Sequence, residues 1–533
     1  MLKSVDWAES HRPKYMELPA RQRLLAPVMI GAYLAAVTVM LVIVLLRAPH
    51  FSYTLDDPYI HLALAQNIAA GHYGINPAET TSPSSSVLWP FLLAPLSRTI
   101  VGEWVPLALN VVFSLGTCIL LGRWLEPRLR AAGFGSLSIT GLAICLVLAA
   151  NMPGLTMTGM EHSLQVLLVV ACVIAIFHGY EDGSIPWHYL AAAALAPAVR
   201  YENVVYTGAV CVVLLLKRRY GTAVAVFAVS LLPLIVLGIF LHAHGLPPFP
   251  NSVMAKGGME AGSGHTSGLA HLVELSIVNA QDLFLRPSRR VIFACMATIA
   301  VCCVCLRRRY VMWPMLTVLL AAIAMALVGP YDWYFRYDVA LRIFVLLLAV
   351  GLLLHVMKGQ KVIAPVVWLL MLLSAVAFVP PLLGSPGGSL QIARQQYEMH
   401  RFVQQLGSEN IAVNDLGWVS FNAYGKFYIL DLIGLANLET LREKNRNTAW
   451  LDRVTKEHHV GLAMIYESWF KAPPPPAWIK LGVLHQSEQY FASPIATIGV
   501  SFYATSPAAA KRLQPQLEVF RRALPEHTWI ADK

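Results

Sequence analysis

The chain has 533 residues, of which 57% are hydrophobic and only 13% are charged. A soluble protein carries about 25% charged residues, so this composition excludes an ordinary soluble enzyme and indicates that lipid surrounds much of the chain. The formal net charge of +10 would suit a nucleic-acid partner, but the basic residues gather beside apolar runs, where they act as topology signals. We therefore expect no nucleic-acid partner.

Nine apolar runs approach the ~20 residues that cross a bilayer. They lie at about 27–46, 104–122, 136–151, 161–179, 221–241, 288–306, 311–328, 338–357 and 362–382. A further stretch, 188–216, is broken by Arg200, Tyr201, Glu202 and Asn203, so it is either one long helix or a hairpin with these polar residues at its tip. The first run is too long for a cleaved signal peptide, and we interpret it as a retained first span.

Basic clusters decide between these two readings of 188–216, because Lys and Arg accumulate in short cytoplasmic loops. All five clusters fall on one side only if 188–216 is a hairpin and 84–97 does not cross. The clusters are Lys3 to Arg23, Arg123 to Arg130, Lys217 to Arg219, Arg307 to Arg309, and Lys358 with Lys361. The prediction is a polytopic α-helical membrane protein of about eleven spans, with its N-terminus in the cytoplasm and its C-terminus outside.

Four regions lie outside the predicted spans. They are a first outer loop at 48–103, a second at 242–287, a short aromatic loop from Tyr331 to Arg336, and the tail from about 385 onward. The tail follows a Gly-Ser-Pro-Gly-Gly run at 384–388 that is typical of a linker. Its apolar stretches predict strands at 411–413, 427–430 and 460–466 and a helix at 391–406. We therefore divide the chain into a transmembrane module, residues 1–383, and an extracytoplasmic α/β domain, residues 384–533.

The first outer loop carries two adjacent carboxylates, Asp56 and Asp57, directly before Pro58. One Asp suits a helix N-terminus, where it caps free N–H groups and where proline fits the first turn. The other Asp is then free for chemistry. Residues 58–70 are expected to form an amphipathic helix at the membrane interface, and we interpret Trp89 as an interface anchor rather than a platform for sugar stacking.

Several segments, in order along the chain, resemble the GT-C glycosyltransferases. They are Asp56 with Asp57, Gly71 to Asn76, Thr81 to Trp89, Thr158 to Glu161, Arg200 to Glu202, Pro250 to Ser252 with Ala255 and Lys256, and, in the tail, Ile411 to Gly417 and Ile429 to Leu435 with Asp415, Asp431 and Gly434. The chain has Arg-Tyr-Glu where the family tends to have Arg-Pro-Glu. The pattern is most similar to the mycobacterial-type terminal arabinofuranosyltransferase group.

The resemblance implies transfer of a sugar, arabinofuranose in that group, from a polyprenyl-phosphate donor to an acceptor hydroxyl at the outer face of a bacterial cytoplasmic (inner) membrane. A polysaccharide, a glycolipid and a glycoprotein all stay open as the acceptor. The acceptor hydroxyl needs a general base, which Asp56 or Asp57 can supply. The leaving phosphate needs positive charge, which Arg or Lys can supply.

Three cations are candidates for binding the donor phosphate, because the predicted topology places them on the outer side. Lys256 stands alone in a flexible loop and follows Asn251, in a Pro-Asn context that matches the family. Arg200 has an alternative role in an ion pair with Glu202 at a hairpin tip. Arg336 has an alternative role in snorkelling from a span end to the interface.

Further polar residues are assigned less specific roles. Glu161 and His162 head a span, where a carboxylate meets the helix dipole favourably, so capping is preferred over orientation of the sugar. His61 and His72 could join Asp56 or Asp57 around a divalent metal ion, but a third ligand is lacking and no cofactor is assigned. In the tail, Trp418, Tyr424, Trp469 and Trp478 are expected in the core rather than on a glycan.

Two other classes of protein stay open, a lipid or glycan transporter or flippase and a glycan-binding membrane protein without catalysis. Transporters of charged substrates carry ionisable residues near the bilayer midplane. The central parts of the predicted spans are nearly free of such residues, and the polar residues crowd one face. This distribution favours an enzyme.

Overall fold

The computed structural model describes residues 23–181, 184–252, 254, 268–305, 309–329, 336–356, 362–470, 472–487 and 493–532. Among these, eight helical segments are long and apolar enough to cross a membrane. They are Leu25–Arg47, Gly102–Ala131, Ser136–Thr158, His162–Glu181, Tyr220–Ala243, Pro287–Cys305, Val339–Val356 and Ile363–Leu406. Three shorter apolar helices, Trp187–Val199, Tyr201–Leu216 and Met315–Val328, lie where the other spans are predicted. The chain is a multi-pass helical membrane protein, as its composition predicts.

The helices up to residue 406 are numbered in chain order. They are α1 Leu25–Arg47, α2 Asp57–Ala69, α3 Trp89–Ser97, α4 Val105–Ala131, α5 Ser136–Ala149, α6 Met152–Thr158, α7 His162–Glu181, α8 Trp187–Val199, α9 Val204–Leu216, α10 Tyr220–Ala243, α11 Gly268–Leu285, α12 Pro287–Cys305, α13 Arg309–Val328, α14 Val339–Val356, α15 Ile363–Val376, α16 Val379–Arg394 and α17 Gln396–Leu406.

Two helices, α7 and α14, form the centre of the bundle. Their apolar windows are 83% and 89% buried, whereas that of α10 is only 17% buried. A helix that is apolar on all sides is suited to such a central position. The segments that precede α7 and α14 therefore emerge from the middle of the bundle, and both carry candidate residues, Glu161 and Arg336.

The stretch 188–216 is a hairpin, as the basic clusters predict. The Thr207 hydroxyl donates to the Ala193 carbonyl at 2.6 Å, and the Asn203 amide donates to the Ala196 carbonyl at 2.9 Å. These bonds join α8 to the start of α9 and leave Arg200 at the turn between them. The interpretation of this stretch as one long helix is wrong.

Helix α2 is enclosed by protein rather than lying at a membrane surface. All residues from Pro58 to Asn67 are buried, and α2 packs on α3 and on the tail helix Gly417–Ser420. Trp89 is fully buried as well. The predictions of an interfacial α2 and of Trp89 as an interface anchor are both wrong, because the C-terminal part of the chain covers a face that local sequence leaves polar.

The C-terminal part folds around a six-stranded sheet with the strand order β2-β1-β3-β5-β4-β6. We call residues 396–532, which comprise α17 and the sheet with its helices, the sheet domain. Its elements are β1 Ile411–Val413, α18 Gly417–Ser420, β2 Ile429–Asp431, α19 Leu438–Arg442, α20 Thr448–Glu457, β3 Leu462–Ile465, β4 Ile479–Gln486, β5 Gly499–Ala504, α21 Pro507–Arg522 and β6 Thr528–Ala531. Strands β2, β1 and β3 are parallel, and the other pairs are antiparallel. The three predicted strands are confirmed within a few residues, whereas β4, β5, β6 and α21 are not anticipated by the sequence pattern.

The glycine-proline run at 384–388 is not a linker. It lies inside α16 and is buried, and α17 follows after a break at Gln395. The glycine-proline run has weak helix propensity, and tertiary packing in buried surroundings overrides this propensity. The domain boundary at 383/384 stays a prediction.

Candidate functional site

Asp57 and Arg336 form an ion pair at the end of the bundle that faces the sheet domain. Asp57 opens α2 and its side chain is 31% exposed, whereas the Arg336 side chain is 1% exposed. Arg336 also donates to the Tyr337 hydroxyl at 2.8 Å. Its Nε and Nη1 atoms have no hydrogen-bond partner among the described residues. A buried guanidinium with unused donors is costly unless an anion or water satisfies them, so this arrangement suits an anionic ligand.

Arg200 also contacts the Tyr337 ring. It donates to Glu161 at 2.9 Å, to Glu202 at 2.6 Å and to the Ser85 hydroxyl at 3.2 Å. The Arg200 and Arg336 guanidinium carbons lie 5.2 Å and 4.8 Å from the centre of the Tyr337 ring. We call Asp57, Glu161, Arg200, Glu202 and Arg336 the charge cluster. Aromatic contact lets two like charges approach one another at a low-dielectric site.

Two histidines flank the charge cluster. His61 Nε2 lies 4.0 Å from Glu161 Oε2, and His61 Nδ1 lies 3.0 Å from the Ser84 hydroxyl. His162 Nδ1 is held by Gln165 at 2.9 Å, while His162 Nε2 has no hydrogen-bond partner in the described part of the chain. Glu161 thus has a specific ion-pair role in addition to its place at the head of α7.

The serine-rich loop 80–86 links the charge cluster to the second outer loop. Ser82 accepts a backbone hydrogen bond from Ser252 at 3.4 Å, next to the fully buried Asn251. Neither amide atom of Asn251 has a partner within the described ranges. Lys256, the third predicted phosphate-binding cation, lies outside the described residues.

Asp56 points away from the charge cluster. Its Oδ1 accepts a hydrogen bond from the Trp418 backbone at 2.8 Å, and the Trp418 ring stacks on Tyr59 with 3.7 Å between ring centroids. Asp56, the N-cap residue of α2, makes no cap hydrogen bond through its side chain, and Asp57 is ion-paired with Arg336. The capping prediction is wrong for Asp56, which instead holds α18 against the bundle.

The buried Asp56 and the half-buried Asp415 form a carboxyl pair. Burial raises the pKa of Asp56 well above its usual range, and the Asp415 charge raises it further. Burial also raises the pKa of Asp415, which accepts hydrogen bonds from Gln396 at 2.9 Å and Tyr466 at 3.4 Å. Two carboxyl groups in contact share a proton, because both cannot ionise cheaply in a low-dielectric site.

This pair predicts a stability that falls as the pH rises. The folded-state pKa of Asp56 lies above the value of about 3.9 in an unfolded chain. The protonated pair therefore contributes its full stabilisation to the folded state below that value, and this stabilisation is lost as the pH rises through the folded-state pKa. We expect Asp415→Asn to flatten the dependence of the thermal unfolding temperature on pH, because an amide can donate to Asp56 without a shared proton. The control is Asp452→Asn, which removes a carboxylate that is ion-paired with Lys456 on the surface. An unchanged slope in Asp415→Asn would contradict the shared proton.

Gly417 is required where Asp56 approaches the tail. A methyl group at Gly417 would overlap the Asp56 carboxylate and its carbonyl oxygen. We expect Gly417→Ala to lower the free energy of unfolding by about 1–3 kcal/mol, the usual cost of overpacking, and to speed limited proteolysis of the C-terminal part. Gly208→Ala is the matched control, since a methyl group there meets no atom within 4 Å. Equal melting temperatures for the two variants would show that this contact is unimportant.

The remaining sequence candidates divide between core and surface. Asp431 accepts backbone hydrogen bonds from Ile433 and Ala436 at 2.9 and 2.8 Å and shapes a turn. Trp418 and Trp478 are buried, as expected for core residues, whereas Trp469 is 41% exposed. No group of three or more potential metal ligands occurs in the described residues, and His72 contacts the Glu79 carbonyl at 3.0 Å rather than an aspartate.

An apolar cavity of about 580 Å³ lies at the C-terminal end of α2. Its walls come from α2, α3 and the exposed helix α10, with Pro233, Leu237 and Phe240 on the α10 side. Thr80 and Val87, at the two ends of the serine-rich loop, also line it. The same loop therefore contacts both the apolar cavity and, through Ser85, Arg200.

Comparison with known proteins adds one family model and three solved structures. A model described as a domain of unknown function (DUF8728) matches residues 390–506, which include β1 to β5. A sequence search of curated proteins returns no match.

The three solved structures share 12% sequence identity with this chain. The Archaeoglobus fulgidus oligosaccharyltransferase in complex with zinc and sulfate has a TM-score of 0.46 over 94% of this chain and 74% of that chain. ArnT from Cupriavidus metallidurans in the apo state has a TM-score of 0.43 over 90% and 98%. The Archaeoglobus fulgidus oligosaccharyltransferase AglB with an inhibitory peptide and a dolichol-phosphate has a TM-score of 0.40 over 81% and 69%.

Proposed function

We propose that this protein is a GT-C-type membrane glycosyltransferase. It transfers a sugar, with arabinofuranose as the specific candidate, from a polyprenyl-phosphate donor to an acceptor hydroxyl at the outer face of a bacterial cytoplasmic membrane. The observation that carries the proposal is the Asp57–Arg336 pair, in which a partly exposed carboxylate contacts a buried guanidinium. Two nitrogens of this guanidinium have no hydrogen-bond partner among the described residues. A base for the acceptor and a cation for the phosphate thus lie within one hydrogen bond of each other.

The reaction needs one proton transfer and one exchange of bonds at the anomeric carbon. Asp57 takes the proton of the acceptor hydroxyl as its oxygen bonds to the anomeric carbon. The bond from that carbon to the phosphate oxygen breaks, and the polyprenyl phosphate leaves with the electron pair. Arg336 and Arg200 stabilise the negative charge that develops on this phosphate, the kind of preorganised electrostatic contact that contributes most to many enzymatic reactions.

The apolar cavity supports a lipid-linked donor. Its apolar walls border α10, which is largely exposed and faces lipid in a membrane. An isoprenoid chain in this cavity would carry its phosphate toward loop 80–86, whose Ser85 bonds Arg200. Hydrophobic burial of the chain and ion pairing of the phosphate would then act on the two ends of one donor.

The other polar residues are assigned to orientation of the donor sugar. Glu161, His162 and Asn251 have buried atoms without hydrogen-bond partners among the described residues, and His61 lies beside Glu161. A sugar ring has hydroxyl groups that can satisfy such atoms. Glu202 keeps Arg200 in place, and Lys256 stays a prediction for the phosphate. Asp56 is a positioning residue that fixes the start of α2 and thereby Asp57.

The experiment that tests this function compares glycans by mass spectrometry in cells that produce the wild-type protein, the Asp57→Asn variant or neither. The proposal expects a pentose-bearing glycan only with the wild-type protein, and the mass identifies both sugar and acceptor. Identical glycans in all three samples would contradict it. Translocation of a labelled polyprenyl lipid in vesicles without acceptor, equal in wild type and Asp57→Asn, would instead favour a flippase.

A further inference from the structure

A second cavity, polar and of about 400 Å³, lies between α2 and α3 on one side and the sheet domain on the other. Among the described residues that line it, two are cationic, Arg98 and Lys426, and none is acidic. Both cations are exposed, and Lys426 donates to the Gln404 amide oxygen at 2.7 Å. Its volume falls within the usual range for small-molecule sites. The lining therefore suits an anionic ligand.

His400 lines the same cavity and is 8% exposed. Its Nδ1 has no hydrogen-bond partner in the described part of the chain. A neutral imidazole that donates one N–H keeps the other nitrogen as an acceptor. That nitrogen can accept a hydrogen bond from a ligand hydroxyl.

Hydrogen bonds hold the part of the wall formed by Gln66 and Asn422 in place. Gln66 donates to the Ser97 carbonyl at 3.1 Å and to the Asn422 amide oxygen at 2.6 Å, and it accepts from the Asn422 backbone at 3.1 Å. These bonds fix Asn422 in a left-handed conformation with φ of 58°. Tyr424 adds a half-buried ring beside it. Preformed amides with an aromatic face are typical of sites for polyhydroxylated ligands.

We propose that this cavity binds an acidic sugar residue, whose carboxylate or phosphate contacts Arg98 and Lys426 and whose hydroxyl donates to His400 Nδ1. The cavity is distinct from the charge cluster, because Gln66 follows Asp57 by nine residues of α2, or ~13 Å along a helix. If the proposed function holds, the bound residue belongs to the acceptor glycan, and another residue of the same glycan receives the sugar.

A phospholipid headgroup is the rival ligand. Leu96, Ile100 and Val101 expose apolar side chains next to Arg98, and a lipid phosphate could reach the same cations. The lining argues for a sugar, since a phosphate alone would leave His400 Nδ1 and the Tyr424 ring unused. Binding experiments can separate these two sources of negative charge.

Saturation-transfer NMR on the full-length protein in zwitterionic detergent provides the test, with glucuronic acid as the probe and glucose as the neutral comparison. We expect glucuronic acid to bind more tightly than glucose, and R98Q/K426Q to weaken its binding about tenfold or more, the usual effect of losing charge-assisted hydrogen bonds. The matched control is K511Q/R522Q, which removes two exposed charges on α21. Melting temperatures establish that all variants are folded.

Two results would overturn the proposal. The first is equal binding of glucuronic acid and glucose, or binding that R98Q/K426Q leaves unchanged. The second is tight binding of phosphatidylglycerol in nanodiscs that depends on Arg98 and Lys426 and displaces glucuronic acid, which would assign the cavity to a lipid headgroup. Binding is also measured in Asp57→Asn, so that loss of sugar transfer and loss of this site are distinguished.

Discussion

Asp57→Asn is expected to lower the rate of sugar transfer by about 10²–10⁴-fold, the usual contribution of a general base, while the protein stays folded and binds its donor. Asparagine keeps the size of the side chain and can still accept a hydrogen bond from Arg336, but it cannot take a proton from the acceptor. The measurement is initial transfer rate in proteoliposomes with polyprenyl-phosphate arabinofuranose, together with donor binding.

Asp56→Asn is the matched control for this prediction. The adjacent Asp56 side chain accepts from the Trp418 backbone and contacts Asp415 rather than the charge cluster. We expect this variant to keep most of its transfer rate and to change the pH dependence of unfolding instead. Comparable loss in both variants would contradict the separation of the two roles, and full activity in Asp57→Asn would remove Asp57 from the reaction.

Arg336→Gln is expected to lower the transfer rate by about 10²–10³-fold, the usual cost of losing one preorganised donor at a developing anion. The Arg336 side chain is 1% exposed, so no solvent substitutes for the missing charge. Its Nε and Nη1 have no hydrogen-bond partner in the part of the chain that the structure describes. Arg336→Lys should recover part of the rate, because an ammonium group keeps the charge but not the planar set of donors.

The Arg336 variants need a readout besides rate, since removing one partner of a buried ion pair also destabilises a protein. The melting temperature and the affinity for the lipid donor provide it. The control is Arg512→Gln, which breaks an exposed ion pair with Glu409. If Arg336→Gln melts normally, binds donor and transfers sugar at the wild-type rate, the assignment of Arg336 to the leaving phosphate is wrong.

Much of the helical architecture could be predicted because it depends on local composition. Runs of apolar residues near 20 in length form helices in lipid whatever their neighbours are. The basic clusters also predicted the hairpin at 188–216, whose turn places Arg200 beside Glu161. Tyr337 was missed, although it follows directly on the aromatic loop that ends at Arg336, and only its contacts with two guanidinium groups show its importance.

A polytopic helical protein, the tip of one hairpin and a short set of scarce charged residues follow from local sequence alone. Which of these charges meet depends on tertiary packing, since Asp57 and Arg336 are 279 residues apart and Asp56 and Trp418 are 362 apart. Local patterns cannot carry such information, because these contacts depend on how the helices pack and on where the sheet domain docks. That docking also turned an expected interfacial helix, α2, into a buried one and gave two adjacent aspartates different partners.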